Sequence, residues 1–356
     1  MSTLNTPLLG LFPSFERIGG VETSGRIGWE PFGRQPDKHQ LFCYGASGGP
    51  SNGQMNGNVY SSGSKAQALL TAVQTRWAAG TVLVWHLGLL KLLPFMRLRH
   101  AKVALFLHGV EAWRSQGWLT RQLLRRVDLF LSNTEYTWRR FTSFNPGLGK
   151  AAHRIVHLGV GEPWGRPLPL PDDPPAVLMI GRMLIGERYK GHTEMVAAWP
   201  RVLARRPRAQ LWIAGPGPLG AKLERKVREQ GLDGSVRIYG QITEDQKQDL
   251  LMRCRCLALP SCGEGFGLVY LEAMRLGRPC LVSDVDAGRE VVNPPEAGLA
   301  VNPDDLEGVA EATCRLLSAG PGWDQWSEKA RRRYEATFTA KHFQTRLLTA
   351  LSELNP

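Results

Sequence analysis

Short, continuously apolar segments alternate along this chain with longer segments whose apolar residues recur every three or four positions. Six apolar runs in the first half predict strands: LLGLF, QLFCYG, TVLVWH, KVALFLH, DLFLSN and RIVHLG. Six more follow in the second half: AVLMIG, QLWIAG, VRIYG, CLALPS, PCLVS and GLAVN. Strands that are apolar throughout and alternate with helices are typical of parallel sheets covered on both faces. The pattern therefore predicts an α/β protein with two doubly wound, Rossmann-like sheets.

A proline-rich stretch separates the two sets of strands. Residues 161–175 read GEPWGRPLPLPDDPP, where repeated prolines exclude a helix and favour an extended linker. We expect one domain over residues 1–160, a second over residues 176–322, and helices over residues 323–356 that pack back across both. Because ligands bind at the carboxyl ends of the strands in such sheets, the expected site lies in a cleft between the domains.

One long segment interrupts the regular alternation. Residues 45–65 read GASGGPSNGQMNGNVYSSGSK and are rich in Gly, Ser and Asn. A loop of this length is either a mobile functional lid or a disordered insertion, and both alternatives stay open at this stage.

Composition narrows the class of protein. A hydrophobic content of 43% with 21% charged residues fits a globular protein, and the most apolar run is too short to span a bilayer. The first residues lack the features of a signal peptide, so we expect a cytoplasmic protein. Six cysteines at irregular spacings, without a C-x-x-C pair, predict reduced thiols rather than disulfides or zinc ligands. We expect neither a metal nor an organic cofactor.

The positive charge is concentrated in one half of the chain. Residues 1–160 contain 18 Lys and Arg against 7 Asp and Glu, whereas the remainder contains 26 against 25. Much of the excess lies in KLLPFMRLRHAK and WRSQGWLTRQLLRRVD, where cations alternate with Leu, Phe, Met and Trp. This pattern fits either an anionic membrane surface or a solvated helix face. Nucleic acid is not an expected partner, because the usual nucleic-acid-binding motifs are absent from the sequence.

Two glutamates, Glu264 and Glu272, bracket a glycine-rich turn in SCGEGFGLVYLEA, residues 261–273. The turn, which contains Glu264, follows the predicted strand CLALPS and precedes the predicted helix LVYLEAMRLG, which contains Glu272 and ends at Gly277. If that helix begins at Glu264, the carboxylates lie ~80° apart around the helix and ~12 Å apart along its axis. This spacing fits the two ends of one extended ligand better than a coupled acid–base pair. Carboxylates accept paired hydrogen bonds from vicinal hydroxyls, such as those of sugars and ribose.

A second cluster, IGRMLIGERYKGHTEM, follows the first strand after the linker. Arg182 and Lys190 lie where this strand gives way to a helix, and Gly181, Gly186 and Gly191 leave the backbone bare. A guanidinium and an ammonium in such a loop suit a diphosphate, although two solvated loop cations are the alternative.

Taken together, these motifs resemble glycosyltransferase family 4, a group of retaining glycosyltransferases with the two-domain GT-B fold. The resemblance is carried by the E-x7-E frame in EGFGLVYLEAM, by GR at 181–182 with KGH at 190–192, and by AGPGPL at 214–219. It implies that Arg182 and Lys190 hold the diphosphate of a nucleotide sugar and that Glu272 holds the ribose hydroxyls.

The resemblance also assigns the transferred sugar. It implies that Glu264, with backbone N–H groups of Phe266, Gly267 and Leu268, holds hydroxyls of that sugar.

The N-terminal half resembles the same family less closely. SFERIGGVE is similar to the family's glycine loop, which places Gly19 and Gly20 against the donor. LHGVE is similar to its HG-acid segment, which places His108 near the reacting sugar. The alternative for His108 is a packing or capping residue at a strand end.

Two further motifs resemble the binding sites of other protein classes, but their surroundings in the sequence do not fit those classes. GPGPLG, residues 215–220, spells a dinucleotide fingerprint, but the next strand ends without the acidic residue that binds ribose. The D-x-D at Asp284 and Asp286 resembles a metal motif, but it lies in a short loop and is interpreted as turn and capping chemistry.

The sequence thus predicts a retaining glycosyltransferase that moves a hexose from a nucleotide diphosphate sugar, GDP-mannose-like or a UDP-sugar, to an acceptor hydroxyl. The expected acceptor is a saccharide or a lipid-linked saccharide. The alternatives are a nucleotide-sugar epimerase or hydrolase on the same fold, and a non-catalytic protein that binds sugar or membrane.

Overall fold

The protein is described by a computed structural model. It describes residues 4, 6–15, 19–44, 59–62, 64–75, 77–98, 100–166, 168–184 and 190–354. The chain divides into two compact units, which we call unit 1 and unit 2. Unit 1 contains Met1–Gly161 and Ala340–Pro356, and unit 2 contains Glu162–Thr339.

Unit 1 is built on a parallel sheet of seven strands in the order β3-β2-β1-β4-β5-β6-β7. The strands are β1 (Leu8–Phe12), β2 (Gln40–Tyr44), β3 (Val59–Ser62), β4 (Thr81–Val84), β5 (Lys102–Leu107), β6 (Leu129–Ser132) and β7 (His153–Ile155). The α-helices are α1 (Gly20–Gly33), α2 (Lys65–Gln74), α3 (Trp118–Leu124), α4 (Glu135–Phe144) and, from the end of the chain, α12 (Ala340–Ser352). Two 3-10 helices span Leu87–Phe95 and Pro146–Leu148.

Unit 2 is built on a parallel sheet of six strands in the order β10-β9-β8-β11-β12-β13. The strands are β8 (Ala176–Ile180), β9 (Gln210–Ala214), β10 (Val236–Gly240), β11 (Cys256–Leu259), β12 (Cys280–Ser283) and β13 (Gly298–Val301). The helices are α5 (His192–Arg205), α6 (Leu219–Glu229), α7 (Glu244–Arg253), α8 (Leu268–Arg275), α9 (Gly288–Val292), α10 (Leu306–Leu316) and α11 (Pro321–Thr337).

Each of the twelve apolar runs expected to form a strand overlaps one. The match is weakest at β7, which begins one residue before RIVHLG, ends at Ile155 and has no buried residue. The structure adds one strand, β3, inside the segment that was expected to be a long loop. β3 pairs with β2 from Leu41 opposite Val59 to Tyr44 opposite Ser62. It is a short edge strand of mixed polarity, so its stability comes from pairing rather than from an apolar pattern. Residues 45–58 and 63 of that segment lie outside the described residues.

An aromatic cluster holds unit 1 together and includes the last helix. Phe12 stacks on Trp85 with ring centroids 5.1 Å apart, and Trp85 also lies 6.2 Å from Phe343 of α12. Gly28 of α1 brings the helices into contact, because a Cβ there would lie 3.2 Å from Phe343 and Leu347. The final helix is therefore part of the core of unit 1.

Two buried arginines attach the proline-rich segment to unit 2. Arg278 donates hydrogen bonds to the carbonyl oxygens of Pro169 (3.0 Å) and Met252 (2.6 Å). Arg255 donates to Asp173 at 2.8 Å. The segment thus lies against this unit without helix or strand. Five of the six cysteines are buried, and none forms a disulfide.

Candidate active site

The expected site residues of unit 2 follow strands at the point where the order of the sheet reverses. From β8 the chain proceeds outward to β9 and β10, and then returns to β11 on the other side of β8. The chain therefore leaves the adjacent strands β8 and β11 in opposite directions along the sheet. In doubly wound sheets, ligands bind at this kind of position.

A close backbone contact joins these two loops. Gly191 precedes α5 with φ 76°, and a Cβ there would lie well under 3.0 Å from the carbonyl oxygen of Pro260. This approach places Lys190 beside Glu264, and the two side chains form an ion pair. Both are largely buried, with side-chain exposures of 17% and 13%. His192, the next residue, is buried with no hydrogen-bond partner for Nε2 among the described residues.

The loop that carries Glu264 is fixed by hydrogen bonds to the buried carboxylate of Asp286. This carboxylate accepts hydrogen bonds from the Ser261 hydroxyl, from the Glu264 backbone N–H at 3.0 Å and from the Gly288 N–H at 2.9 Å. Burial raises the pKa of Asp286 to about 7, although these donors oppose the shift. By accepting from the N–H two residues further on, Asp286 shows the expected turn chemistry. It also fixes the backbone of Glu264, a role that the sequence did not indicate.

The helix after the glycine turn begins where the segment LVYLEAMRLG predicts, so Glu264 lies in the turn as expected. α8 starts at Leu268, and its N-cap Gly267 is left-handed with φ 82°. The ring of Tyr270 occupies the space that a Cβ at position 267 would need. The angle and separation derived for a helix beginning at Glu264 are therefore wrong. Only Glu272 lies within the helix.

Glu272 has a lysine partner that the sequence did not reveal. Lys247 of α7 lies 2.8 Å from the Glu272 carboxylate and 2.7 Å from Glu244. Burial raises the pKa of Glu272, while the charge of Lys247 opposes that shift. Burial also disfavours the charge on Lys247, but the two carboxylates outweigh it and raise the lysine pKa. Each glutamate of the E-x7-E frame is thus matched with its own ammonium group.

Arg182 lies in the loop after β8, and its side chain is exposed. It makes no hydrogen bond or ion pair with any residue that the structure describes, so its five N–H donors remain available. Gly186 and the other residues of 185–189 lie outside the described part of the chain.

The glycines of GPGPLG position this arginine loop. A Cβ at Gly215 or Gly217 would lie well under 3.0 Å from the carbonyl oxygens of Gly181 and Met183 respectively. Both glycines have φ near 140°, which other residues rarely adopt. The motif therefore serves close backbone packing beside Arg182.

The N–H groups expected to face a sugar differ in their surroundings. Phe266 is buried edge-to-face on Phe338 with centroids 6.1 Å apart, and its N–H points to the Glu264 carboxylate at 3.5 Å. Gly267 and Leu268 open α8, whose first turn has no side-chain cap. An uncapped helix start presents N–H groups that favour an anion.

His108 lies at the end of β5 in unit 1, stacked on Phe106 at 4.7 Å. Its Nε2 is 2.7 Å from the carbonyl oxygen of Trp85. Because a carbonyl only accepts, Nε2 carries the proton and Nδ1 carries the lone pair. Burial lowers the pKa of His108 to about 4, so the ring is neutral at pH 7. Glu111 accepts from the backbone N–H groups of His108 at 2.7 Å and of Gly109 at 3.1 Å.

The glycines expected to contact the donor lie at the start of α1. Gly20 is its first residue, and Gly19 is the N-cap without a side-chain hydrogen bond. The Glu22 carboxylate lies against Gly19, where a Cβ would displace it. Residues 16–18, which complete the expected glycine loop, lie outside the described residues.

Within the described residues, no group of three or more His, Cys, Asp or Glu side chains is arranged to hold a metal ion. Among the helices described, none combines the length and the hydropathy needed to cross a bilayer.

The segment that contains the unit 2 site matches a known family. Residues 174–319 match the model described as glycosyl transferases group 1. The chain is similar to the O-antigen chain mannosyltransferase C of Escherichia coli, with 32% identity over 142 residues, 39% of this chain and 38% of that one. It is also similar to a phosphatidyl-myo-inositol mannosyltransferase of Mycolicibacterium smegmatis, with 35% identity over 144 residues, 40% of this chain and 36% of that one. The chain thus spans less than two fifths of the length of either relative.

Similarity of fold extends over nearly the whole chain. The Anabaena protein HepE, solved in complex with UDP and glucose, matches with a TM-score of 0.76 at 16% identity, over 98% of this chain and 100% of that one. This likeness shows that the chain has the two-domain α/β fold called GT-B. The expected fold class is therefore confirmed.

A side chain at position 191 should separate the two loops of the unit 2 site. We expect Gly191→Ala to lower the free energy of unfolding by about 2 kcal/mol or more, because a Cβ would clash with the Pro260 backbone and φ is positive. Thermal and urea unfolding measure this loss. Gly234→Ala is the matched control, since the space around Gly234 is open. Equal stability of the two variants would contradict the close contact.

The burial of His108 should appear in the pH dependence of stability. Its folded pKa of about 4 lies below the usual 6.5, so its contribution is present above pH 6.5 and is lost as the pH falls toward 4. When the pH falls from 7.5 to 5, the free energy of unfolding should decrease in the wild type by about 2 kcal/mol more than in His108→Gln. Urea titrations at both pH values measure this, with the exposed His100→Asn as control. An unchanged pH dependence in His108→Gln would contradict it.

Proposed function

We propose that this protein is a retaining glycosyltransferase that moves a hexose from a nucleotide diphosphate sugar to an acceptor hydroxyl in polysaccharide or glycolipid biosynthesis. The observation that carries the proposal is the pairing of loops after β8 and β11. There, one exposed arginine, Arg182, lies in the loop that leads to the Lys190–Glu264 ion pair. A site with an exposed guanidinium, an ammonium and carboxylates suits a ligand that has a diphosphate between two polyols.

The proposed roles follow from the charge and accessibility of each group. Arg182 and Lys190 bind the diphosphate, and Glu272 accepts hydrogen bonds from the ribose hydroxyls. Glu264 accepts hydrogen bonds from the sugar, aided by N–H groups at the start of α8. Lys247 acts through Glu272, because a nearby ammonium keeps that partly buried carboxylate ionised.

The lysine beside Glu264 has a second consequence. In the free protein, the Lys190–Glu264 pair satisfies both charges, so neither is left bare in a partly buried site. When donor binds, the diphosphate becomes the second anion that Lys190 contacts. Glu264 then has lone pairs available for neutral hydroxyl donors while it keeps its own counter-charge. The pair thus prepares the site for a ligand that is anionic at one end and polar at the other.

The chemistry would be electrostatic. The bond between the anomeric carbon and the diphosphate oxygen breaks, and a bond to the acceptor oxygen forms on the same face. The acceptor proton passes to the departing phosphate. Charge that develops on the diphosphate is stabilised by Arg182, Lys190 and the uncapped start of α8, groups that are in place before the reaction. A neutral His108, with its lone pair at Nδ1, would accept a hydrogen bond from a hydroxyl of the reacting sugar.

The donor and the acceptor are the open parts of this proposal. Mannosyltransferases among the relatives favour a GDP-mannose-like donor, and the complex of HepE with UDP and glucose favours a UDP-sugar. We propose the former, with UDP-sugars as the competing class. The names of the two mannosyltransferases support a saccharide or lipid-linked acceptor.

Removing either end of the proposed ligand contact should impair transfer. We expect Arg182→Ala to lower kcat/KM by an amount equivalent to roughly 2 to 5 kcal/mol of activation free energy. We expect Glu272→Gln to lower it by the equivalent of about 2 kcal/mol. Both are measured as glycosidic product formed from GDP-mannose and UDP-glucose with saccharide acceptors. Arg228→Ala, an exposed cation on α6, is the matched control.

Three outcomes would contradict the assignment. Unchanged turnover in Arg182→Ala and Glu272→Gln would place the site elsewhere. Donor turnover without an acceptor-linked product would indicate an epimerase or a hydrolase. Failure of millimolar UDP and GDP to raise the melting temperature of the wild type would indicate a protein that binds no nucleotide.

The proposed cations are protein side chains, so transfer should not need a metal. We expect kcat/KM to be unchanged within about twofold after EDTA treatment, because Arg182 and Lys190 supply the positive charge that neutralises the diphosphate. The assay compares EDTA-treated enzyme with and without added Mg²⁺ or Mn²⁺. A loss of activity that metal restores would overturn this part of the proposal.

A further inference from the structure

Unit 1 exposes large apolar side chains on a layer of three neighbouring helices. Both α2 and α3 pack against the 3-10 helix Leu87–Phe95. The inner sides of all three enter one core, through residues such as Ala72, Leu90 and Leu123. Their outer sides expose six large apolar residues: Leu69, Leu70, Val73, Phe95, Trp118 and Leu119. We call this surface the apolar face.

The exposure of these side chains is large. Trp118 is 69% exposed, Leu70 54% and Phe95 44%. Each belongs to a helix that already buries its other side, so the outward residues are not needed for the core. Large apolar side chains exposed on helices that contact one another mark a candidate binding surface, because covering them removes apolar area from water.

The three helices of the apolar face contain cations and no acidic residue. Residues 38–110 contain no Asp or Glu, and they contain seven Lys and Arg. Four exposed cations lie on the same three helices or directly beside them: Lys65, Lys91, Arg97 and Arg121. Within the described residues none of the four forms an ion pair, so their charge is not neutralised by the protein. An occupant of this face must therefore be anionic at its surface and apolar beneath it.

We propose that the apolar face docks unit 1 on an anionic lipid bilayer. A bilayer surface offers both required properties, since negatively charged headgroups lie directly above hydrocarbon. Trp, Phe and Leu favour the boundary between headgroups and acyl chains, and each Lys or Arg near an anionic membrane adds attraction. Unlike a protein partner, a bilayer needs no matching shape, which suits side chains that protrude from three separate helices.

Docking of this kind is interfacial and requires no spanning helix. It goes beyond the proposed reaction and does not depend on it, because the face is defined by unit 1 alone. If both hold, the acceptor belongs to the class of amphiphiles whose sugar end lies at the membrane surface. The binding test below uses neither donor nor acceptor, so its result is separate from that of the transfer assay.

Vesicle flotation with the full chain tests the proposal. We expect the protein to float with mixed phosphatidylcholine–phosphatidylglycerol vesicles at low salt and not with pure phosphatidylcholine. The triple variant Lys91→Gln, Arg97→Gln and Arg121→Gln should weaken partitioning by roughly 100-fold, at the usual attraction per cation. The triple variant Leu70→Ser, Phe95→Ser and Trp118→Ser should weaken it by at least about tenfold. All six positions are exposed, so folding should persist, and melting temperatures check this.

Matched controls separate the face from net charge. Lys222→Gln, Arg225→Gln and Arg228→Gln remove the same charge from exposed positions of α6, and Val285→Ser removes an exposed apolar residue of unit 2. Both should bind vesicles like the wild type. Equal loss in the α6 variant would show binding by net charge alone and overturn the proposal. So would absence of flotation, or a concentration-dependent dimer in sedimentation that the serine variant abolishes, which would identify a second copy as the occupant.

Discussion

The candidate site depends on close contact between backbones at the carboxyl edge of the unit 2 sheet. Gly191 meets the Pro260 carbonyl, Gly215 meets Gly181 and Gly217 meets Met183, each at a distance that no Cβ allows. These contacts join the loops after β8, β9 and β11 without any ligand. A site assembled in advance avoids reorganisation when charge develops during a reaction. The glycines therefore contribute to the candidate site by allowing these close backbone contacts.

Charge within this geometry is arranged in matched pairs. Glu264 lies beside Lys190, Glu272 beside Lys247, and Asp286 is buried among hydrogen-bond donors. The carboxylates thus do not counter the excess of positive charge in the chain, most of which lies in residues 1–160. In unit 2 each carboxylate stays oriented because an ammonium or several N–H groups hold it. In unit 1 several exposed cations instead lie on or beside helices that expose apolar residues.

Much of the fold was predictable from apolar runs, because a buried parallel strand must be apolar along its whole length. β3 escaped prediction since an edge strand with serines has no such pattern. The strand pattern and the glycines correctly indicated that Arg182 and Lys190 follow β8 and that Glu264 follows β11, and the roles of these residues and of Glu272 stay predictions. The start of α8 at Leu268 was predictable too, because the apolar segment LVYLEAMRLG follows the glycine turn, whereas the left-handed conformation of its N-cap Gly267 was not. Nor was Lys247, which lies 25 residues before Glu272 and meets it only through packing.

The sequence by itself determined which apolar segments form strands, where one set of strands gives way to the other and which residue types follow the strand ends. Local physics suffices for these, since periodicity and proline act over a few residues. The tertiary structure decided which charges pair, that His108 is buried and neutral, and that Gly191 lies where any side chain would clash with the backbone. Asp286 changed from an ordinary turn residue into the support of Glu264, and His108 became a buried donor to Trp85. Such properties depend on desolvation and on neighbours distant in sequence, and both exist only once the chain has folded.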